Sequence, residues 1–181
     1  MSKIIAIMLL LCCGMMLFGC ADDNGRRKAE QQKTIVVTDS VGRKVELPYP
    51  LERVAVCNVY NAELITAVGA IDKIVGVDNY IFKDQSGFKN RFNEAQVFGI
   101  SQNAMNYEKL AELSPQAVII TGEGTWRDAQ EMLDRFGIKV IVINSYYTDQ
   151  FADNCRLIGR IFGREEQAEE LVNYFNDKLA Y

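Results

Sequence analysis

The sequence predicts an α/β fold: a three-layer lobe with a mostly parallel sheet, preceded by a β-hairpin and followed by the start of a long helix. Three observations predict it. The apolar runs "ERVAVCN", "KIVGVD", "AVIIT" and "KVIVI" have the length of strands buried on both faces. Segments with helical spacing separate them, and that alternation builds a parallel sheet covered on both sides. Ahead of them, Thr34 to Thr38 and Lys44 to Leu47 alternate apolar and polar residues across the turn Asp39-Ser40-Val41-Gly42, as a hairpin does.

The chain begins with a different kind of segment. Lys3 precedes a run of fifteen apolar residues, Ile4 to Phe18. That run suits the core of an export signal and falls short of the ~20 residues needed to cross a bilayer as a helix. Leu17-Phe18-Gly19-Cys20 resembles the bacterial lipoprotein cleavage box, with Phe18 bulkier than usual at its position. The resemblance implies cleavage after residue 19 and lipid attachment at Cys20, where two or more acyl chains anchor stably. Residues 20–33 carry no apolar periodicity and read as a flexible tether.

The lobe is expected over residues 34–163. Pro48 and Pro50 end the hairpin, and Glu52 to Asn58 forms the first buried strand. A helix over Asn61 to Ala70 places Leu64, Ile65 and Val68 on one face and closes at Gly69. Lys73 to Asp78 is the next strand, and Asn79 to Gln96 a long polar and aromatic connection. Asn106 caps a short helix carrying Leu110 and Leu113, which Ser114-Pro115 stops. After the strand Ala117 to Thr121, a Gly122-Glu123-Gly124 turn opens a helix with Trp126, Ala129, Leu133 and Phe136 at helical spacing. Lys139 to Ile143 is the last strand, and Phe151, Cys155, Ile158 and Phe162 stripe the helix after it. From Arg164 a new helix carries Ala168, Leu171, Val172, Phe175 and Leu179 on one face. It reaches Tyr181 without a stop signal, and its apolar face has no later partner in the chain. Residues 164–181 are therefore expected to be the start of an inter-lobe helix, truncated, with a second lobe missing.

Composition narrows the function. The chain is 49% hydrophobic and 24% charged, with a net charge of -4, which is globular and too acidic for a nucleic-acid partner. It has no histidine, the commonest metal ligand and general base. There is no G-x-S-x-G elbow, and no C-x-x-C after Cys20. No catalytic residue, metal ligand or resident cofactor is expected. Cys57 and Cys155 lie in apolar patterns and read as buried free thiols. Gly122-Glu123-Gly124-Thr125 is not a phosphate loop, because no lysine follows and Glu123 repels phosphate.

In parallel sheets, ligands bind beyond the carboxyl ends of the strands. That rule selects four loops and, on them, the candidate ligand-binding residues Tyr60, Asn61, Ser101, Gln102, Trp126, Tyr146 and Tyr147, with Asn103 beside them. Tyrosine stacks on a macrocycle, hydrogen-bonds it, or ligates ferric iron as phenolate. Ser101, Gln102 and Asn103 offer hydrogen bonds to a polar cargo. Trp126 is the only tryptophan, and core packing is the alternative to a place in the cleft.

"TIVVTDSVGRKVELPYPLERVAVCN" followed by "AELITAVGAIDKIVGVD" resembles the opening of bacterial substrate-binding proteins for iron-siderophore, haem and cobalamin ABC importers. "NYEKLAELSPQAVII" and "LIGRIFGREEQAEELV" resemble later parts of the same N-terminal lobe, in the same order. The resemblance implies two lobes bridged by a helix, with a ferric complex, haem or corrinoid clamped between them. It implies delivery to a membrane permease driven by an ATPase, by a protein exported and lipid-anchored to the cell membrane, facing the periplasm or cell exterior. Two departures leave the cargo open. Ile100 stands where haem-binding relatives commonly carry tyrosine, and no arginine occurs from Gly99 to Met105, where relatives for anionic siderophores often place one. The family's permease-docking carboxylate is carried over to Asp128, since Arg127 occupies the matched position. The alternatives are a lipid-anchored, one-lobe adaptor for a protein partner, and a small α/β enzyme.

Overall fold

The computed structural model describes residues 33–179. The expected signal peptide, Cys20 and the tether up to residue 32 lie outside the described residues.

Five strands form one sheet in the order β5-β4-β3-β6-β7, and every neighbouring pair is parallel. They are β3 (Val54–Val56), β4 (Ile74–Asp78), β5 (Val97–Gly99), β6 (Ala117–Ile120) and β7 (Lys139–Val142). Among the described residues, six α-helices accompany them: α1 (Val59–Ala67), α2 (Asn79–Lys83), α3 (Tyr107–Glu112), α4 (Trp126–Asp134), α5 (Phe151–Phe162) and α6 (Glu165–Leu179).

Alternation along each strand sorts the core into two layers. Val54, Val56, Ala117, Ile119 and Ile141 face α1, α5 and α6, meeting Ile65, Ile158 and Val172. Ala55, Val118, Ile120, Val140 and Val142 face α3 and α4, meeting Leu110, Ala129 and Leu133. Burial on both faces explains why these strands read as continuous apolar runs.

The hairpin of β1 (Thr34–Thr38) and β2 (Lys44–Pro48) forms a separate antiparallel pair, with Thr34 opposite Pro48 and Thr38 opposite Lys44. Its turn seals an edge. β7 ends the sheet, and an open edge exposes unpaired backbone groups. The Ser40 amide donates to the Val142 carbonyl at 2.9 Å. Arg43 Nη2 donates to the Val140 carbonyl at 3.0 Å and pairs with the buried Asp39 carboxylate at 2.6 Å. Asp39 in turn accepts from the Val142 amide at 3.3 Å.

Two expectations need amendment. The segment Asn79 to Gln96 is not featureless: α2 opens it, capped by the Asp78 side chain accepting from the Ile81 amide at 2.9 Å. β5 then follows as a fifth strand that is too short to show a period. The apolar face of α6 also has a partner, one that precedes it in the chain. Ala168 and Val172 are buried, Leu171 packs on the same core, and the Phe175 ring stacks on Phe151 with centroids 4.1 Å apart. Arg156 on α5 pairs with Glu169 at 2.6 Å. Tyr174 and Leu179 remain exposed.

Candidate functional site

The strand order locates the crevice. The chain leaves β3 toward β4 and β5 on one side, then returns to the other side of β3 as β6 and β7. The loops after β3 and β6 therefore diverge, and the gap at such a switch point is where ligands bind in open α/β sheets. A cavity of about 600 Å³ lies there, lined by Asn58, Val59 and Tyr60 after β3 and by Thr121, Glu123 and Gly124 after β6. Glu63, Asp78, Tyr80, Ser101, Gln102 and Asn103 complete its wall.

Two polar side chains hold these loops in place. Asp78, only 2% exposed, accepts from the Asn58 amide at 3.0 Å and from the Ile81 amide at 2.9 Å. It thus ties the loop after β3 to the loop after β4. Burial pushes its carboxyl above the usual carboxylate range, and bonds from the backbone amides of Ile81, Asn58 and Tyr80 oppose that rise. Asn58 has φ 77°, a conformation asparagine tolerates better than most residues, and its side chain caps α1 by accepting from the Tyr60 amide at 2.9 Å.

Gln102 is the second tie. Its Oε1 accepts from the Thr121 amide at 2.9 Å and from Thr121 Oγ1 at 2.8 Å, and its Nε2 donates to the Glu123 carbonyl. One side chain thereby joins the loop after β5 to the loop after β6, passing the ends of β4 and β3. Its own loop is closed by the Gly99–Met105 bridge and by the Ile100 amide donating to the Ala104 carbonyl at 3.1 Å.

The structure brings Tyr60, Ser101 and Gln102, with Asn103, to one cavity. Tyr60 is 55% exposed there, and Tyr80 63%. Asn61 is buried instead: its Nδ2 donates to the Cys57 carbonyl at 3.2 Å, and its Oδ1 accepts from Ser145 Oγ at 2.7 Å. Trp126, 8% exposed, packs in the α4 layer, with the Arg43 and Arg127 guanidinium groups 4.3 and 4.2 Å from its ring centre. The Tyr146 and Tyr147 rings pack against each other, tilted by 49° with centroids 4.3 Å apart, outside the wall of the main cavity. Burial, then Tyr147 and Glu123, push the Tyr146 hydroxyl above its ordinary value. Asp128 is exposed on the first turn of α4. Ile100 is exposed on the neighbouring loop.

Sequence reasoning missed Asp78, Tyr80, Glu63, Thr121 and Glu123. The signals were present. Asp78 ends a buried strand and Tyr80 follows it by two residues, so the carboxyl-end rule applied to both. Glu63 lies three residues after Tyr60 on α1, hence on the same helical face. Chemically the wall offers phenols, amides, hydroxyls and carboxylates. No group of three or more Cys, Asp or Glu among the described residues is placed to hold a metal ion.

The comparisons with known proteins agree with this architecture. The family model described as Periplasmic binding protein matches residues 54–181, and the chain belongs to that family. A search of curated proteins returned no match. Among solved structures, a periplasmic solute binding protein from Veillonella parvula is 26% identical, with a TM-score of 0.63, over 82% of this chain and 47% of that one. The petrobactin-binding protein YclQ from Bacillus subtilis is 18% identical, with a TM-score of 0.67, over 82% of this chain and 52% of that one. The molybdate-bound periplasmic binding protein MolA of Haemophilus influenzae is 22% identical, with a TM-score of 0.68, over 80% and 52% of the two chains. The chain thus spans about half the length of the solved structures it matches.

Proposed function

We propose that this chain supplies one wall of the binding cleft of an ABC-importer substrate-binding protein. Its cargo is a metal complex (a ferric siderophore, haem or a corrinoid), delivered to a membrane permease and its ATPase. The observation that carries the reading is the cavity at the switch point, where Tyr60 and Tyr80 stand exposed beside the amide side chains of Gln102 and Asn103. Aromatic faces and hydrogen-bonding groups on a crevice already braced by Asp78 and Gln102 suit capture of a bulky polar complex, and the bracing lowers the ordering cost of binding. Relatives of this fold are described with cargoes as different as petrobactin and molybdate, so the wall chemistry decides the cargo, and the fold does not. The wall holds no nucleophile with an adjacent base, which favours a binding protein over an enzyme. Lipid attachment at Cys20 would keep the protein beside its permease and raise the effective concentration of cargo. Asp128, exposed on α4, is the docking carboxylate in this reading.

The test is titration of the full chain with ferric chelates, haem and a corrinoid, followed by absorbance, with uptake measured in cells that carry the importer. One of these complexes should give a saturable change, and Tyr60→Ala should weaken it by about fivefold, the loss of one aromatic contact of about 1 kcal/mol. Cys20→Ala should move the protein out of the membrane fraction, and Asp128→Ala should lower uptake while leaving binding intact. Absence of binding by every complex would defeat the reading. Unchanged membrane attachment or unchanged uptake would remove the anchor or the docking assignment alone.

A further inference from the structure

The cavity is lined by three carboxylates, Glu63, Asp78 and Glu123, and by no lysine or arginine. The nearby cations are engaged elsewhere: Arg43 and Arg127 lie over the Trp126 ring, and Arg43 also pairs with Asp39. From this wall we infer that the chain selects cargo by charge, taking cationic metal complexes in preference to neutral ones and rejecting anionic ones. The inference rests on the cargo reading above and assigns its substrate class.

The opposing term is the backbone. α1 and α4 both begin at the crevice, and a helix N-terminus contributes roughly half a positive charge. At α1 that end is already engaged by the Asn58 side chain, which accepts from the Tyr60 amide. Each exposed glutamate brings a full negative charge, although Glu63 lies beyond the first turn of α1 and does not act on its N-terminus directly. The carboxylates therefore outweigh the helix ends, and the crevice carries a negative potential that its low-dielectric walls focus. A tricarboxylate or tricatecholate ferric chelate, or an oxyanion, would meet like charge with no arginine fork to receive it. A bare cation is not the ligand this wall is built for, since its carboxylates are too dispersed to form a metal site. A complex with a positive rim, whose metal is already satisfied, is. Exposed pairs of this kind are worth at most about fivefold each in affinity, so the preference is graded.

The experiment uses one scaffold that differs by a single charge. The full chain is titrated by calorimetry with a ferric trihydroxamate carrying a free ammonium group, with its N-acetylated neutral form, and with an anionic ferric tricatecholate. The cationic chelate should bind about fivefold more tightly than the acetylated one, the gap should shrink as salt rises, and the tricatecholate should bind weakest. In Glu63→Gln/Glu123→Gln, whose altered side chains are exposed and leave the core untouched, the gap between cationic and neutral forms should close. Tightest binding of the tricatecholate, equal binding of all three, or a gap that survives in the double variant would overturn the charge assignment and leave the cargo reading standing. Failure of all three chelates, with haem or a corrinoid binding instead, would overturn the charge assignment for ferric chelates and keep the importer reading. Failure of every complex would overturn both.

Discussion

Asp78 and Cys57 sit side by side at the ends of β4 and β3, and both show what burial does to an ionisable group beside a binding crevice. Asp78 keeps its place because three backbone amides point at it, which compensates part of the desolvation. Cys57 has no such help. Burial first, and then the negative charge of Asp78, push its thiol well above the ordinary value near 9. Burial likewise pushes the Cys155 thiol up to about 12, with Arg156 opposing and Glu169 adding. For an acid whose folded pKa is raised, stability is fully present below the unfolded value and is lost as pH rises through the folded one. Both thiols should therefore weaken the fold only above about pH 9, as the unfolded chain gains thiolate that the folded chain cannot form. At about pH 8 neither should react with iodoacetamide in the native protein, because the thiolate is the reactive form and neither sulfur is accessible. Both should react in urea. Peptide-resolved mass spectrometry reads the two sites separately, and fast native labelling of Cys57 would contradict its placement.

The contact between α5 and α6 is an element-scale joint with little slack. Gly159 lies where the two helices meet, and a Cβ there would stand 2.5 Å from the Ala168 Cβ and 2.9 Å from the Arg164 carbonyl. Two effects compete in Gly159→Ala. Helix propensity favours alanine by about 1 kcal/mol. Overpacking a closed contact costs about 1–3 kcal/mol, and here one neighbour is backbone that cannot turn aside. The variant should be less stable to urea, and adding Ala168→Gly should recover part of the loss. A more stable Gly159→Ala would mean that the helices are not in close contact. This joint also marks how far the sequence could be read. The stripe Phe151, Cys155, Ile158 and Phe162 and the face Ala168 to Phe175 were each legible from spacing, as were four of the five central strands. That the two helical stripes pack together was not legible, because periodicity reveals a face and not its partner. β5 escaped because three residues carry no period. The hairpin was legible as a hairpin, yet its service as a seal over β7 depends on Asp39 and Arg43, whose contacts lie about a hundred residues away. At the candidate site, the carboxyl-end rule picked out Tyr60, Ser101 and Gln102, which line the cavity, because it needs only strand ends. Asn61 and Trp126, picked by the same rule, are buried in the lobe, since a residue near a strand end can still turn inward.

At the scale of the whole lobe, sheet order, hairpin seal and loop ties act together. The seal closes one edge of the sheet against pairing, and the order β5-β4-β3-β6-β7 opens a gap at the carboxyl end. Asp78 and Gln102 then hold the walls of that gap apart at a fixed spacing. In the proposed function, cargo meets this end of the sheet and no other. High-spin ferric iron broadens the amide signals of residues near it, so a bound ferric chelate marks its own position. The most direct measurement is an amide spectrum of the full chain, labelled with nitrogen-15, titrated with the ammonium-bearing ferric trihydroxamate and with its gallium counterpart as the diamagnetic control. Selective broadening is expected at Asn58 to Tyr60, Ser101 to Asn103 and Thr121 to Gly124, with Lys73, Gln116 and Lys139 at the opposite strand ends unaffected. Broadening centred on those opposite ends, or spread evenly over the surface, would contradict that placement of the cargo.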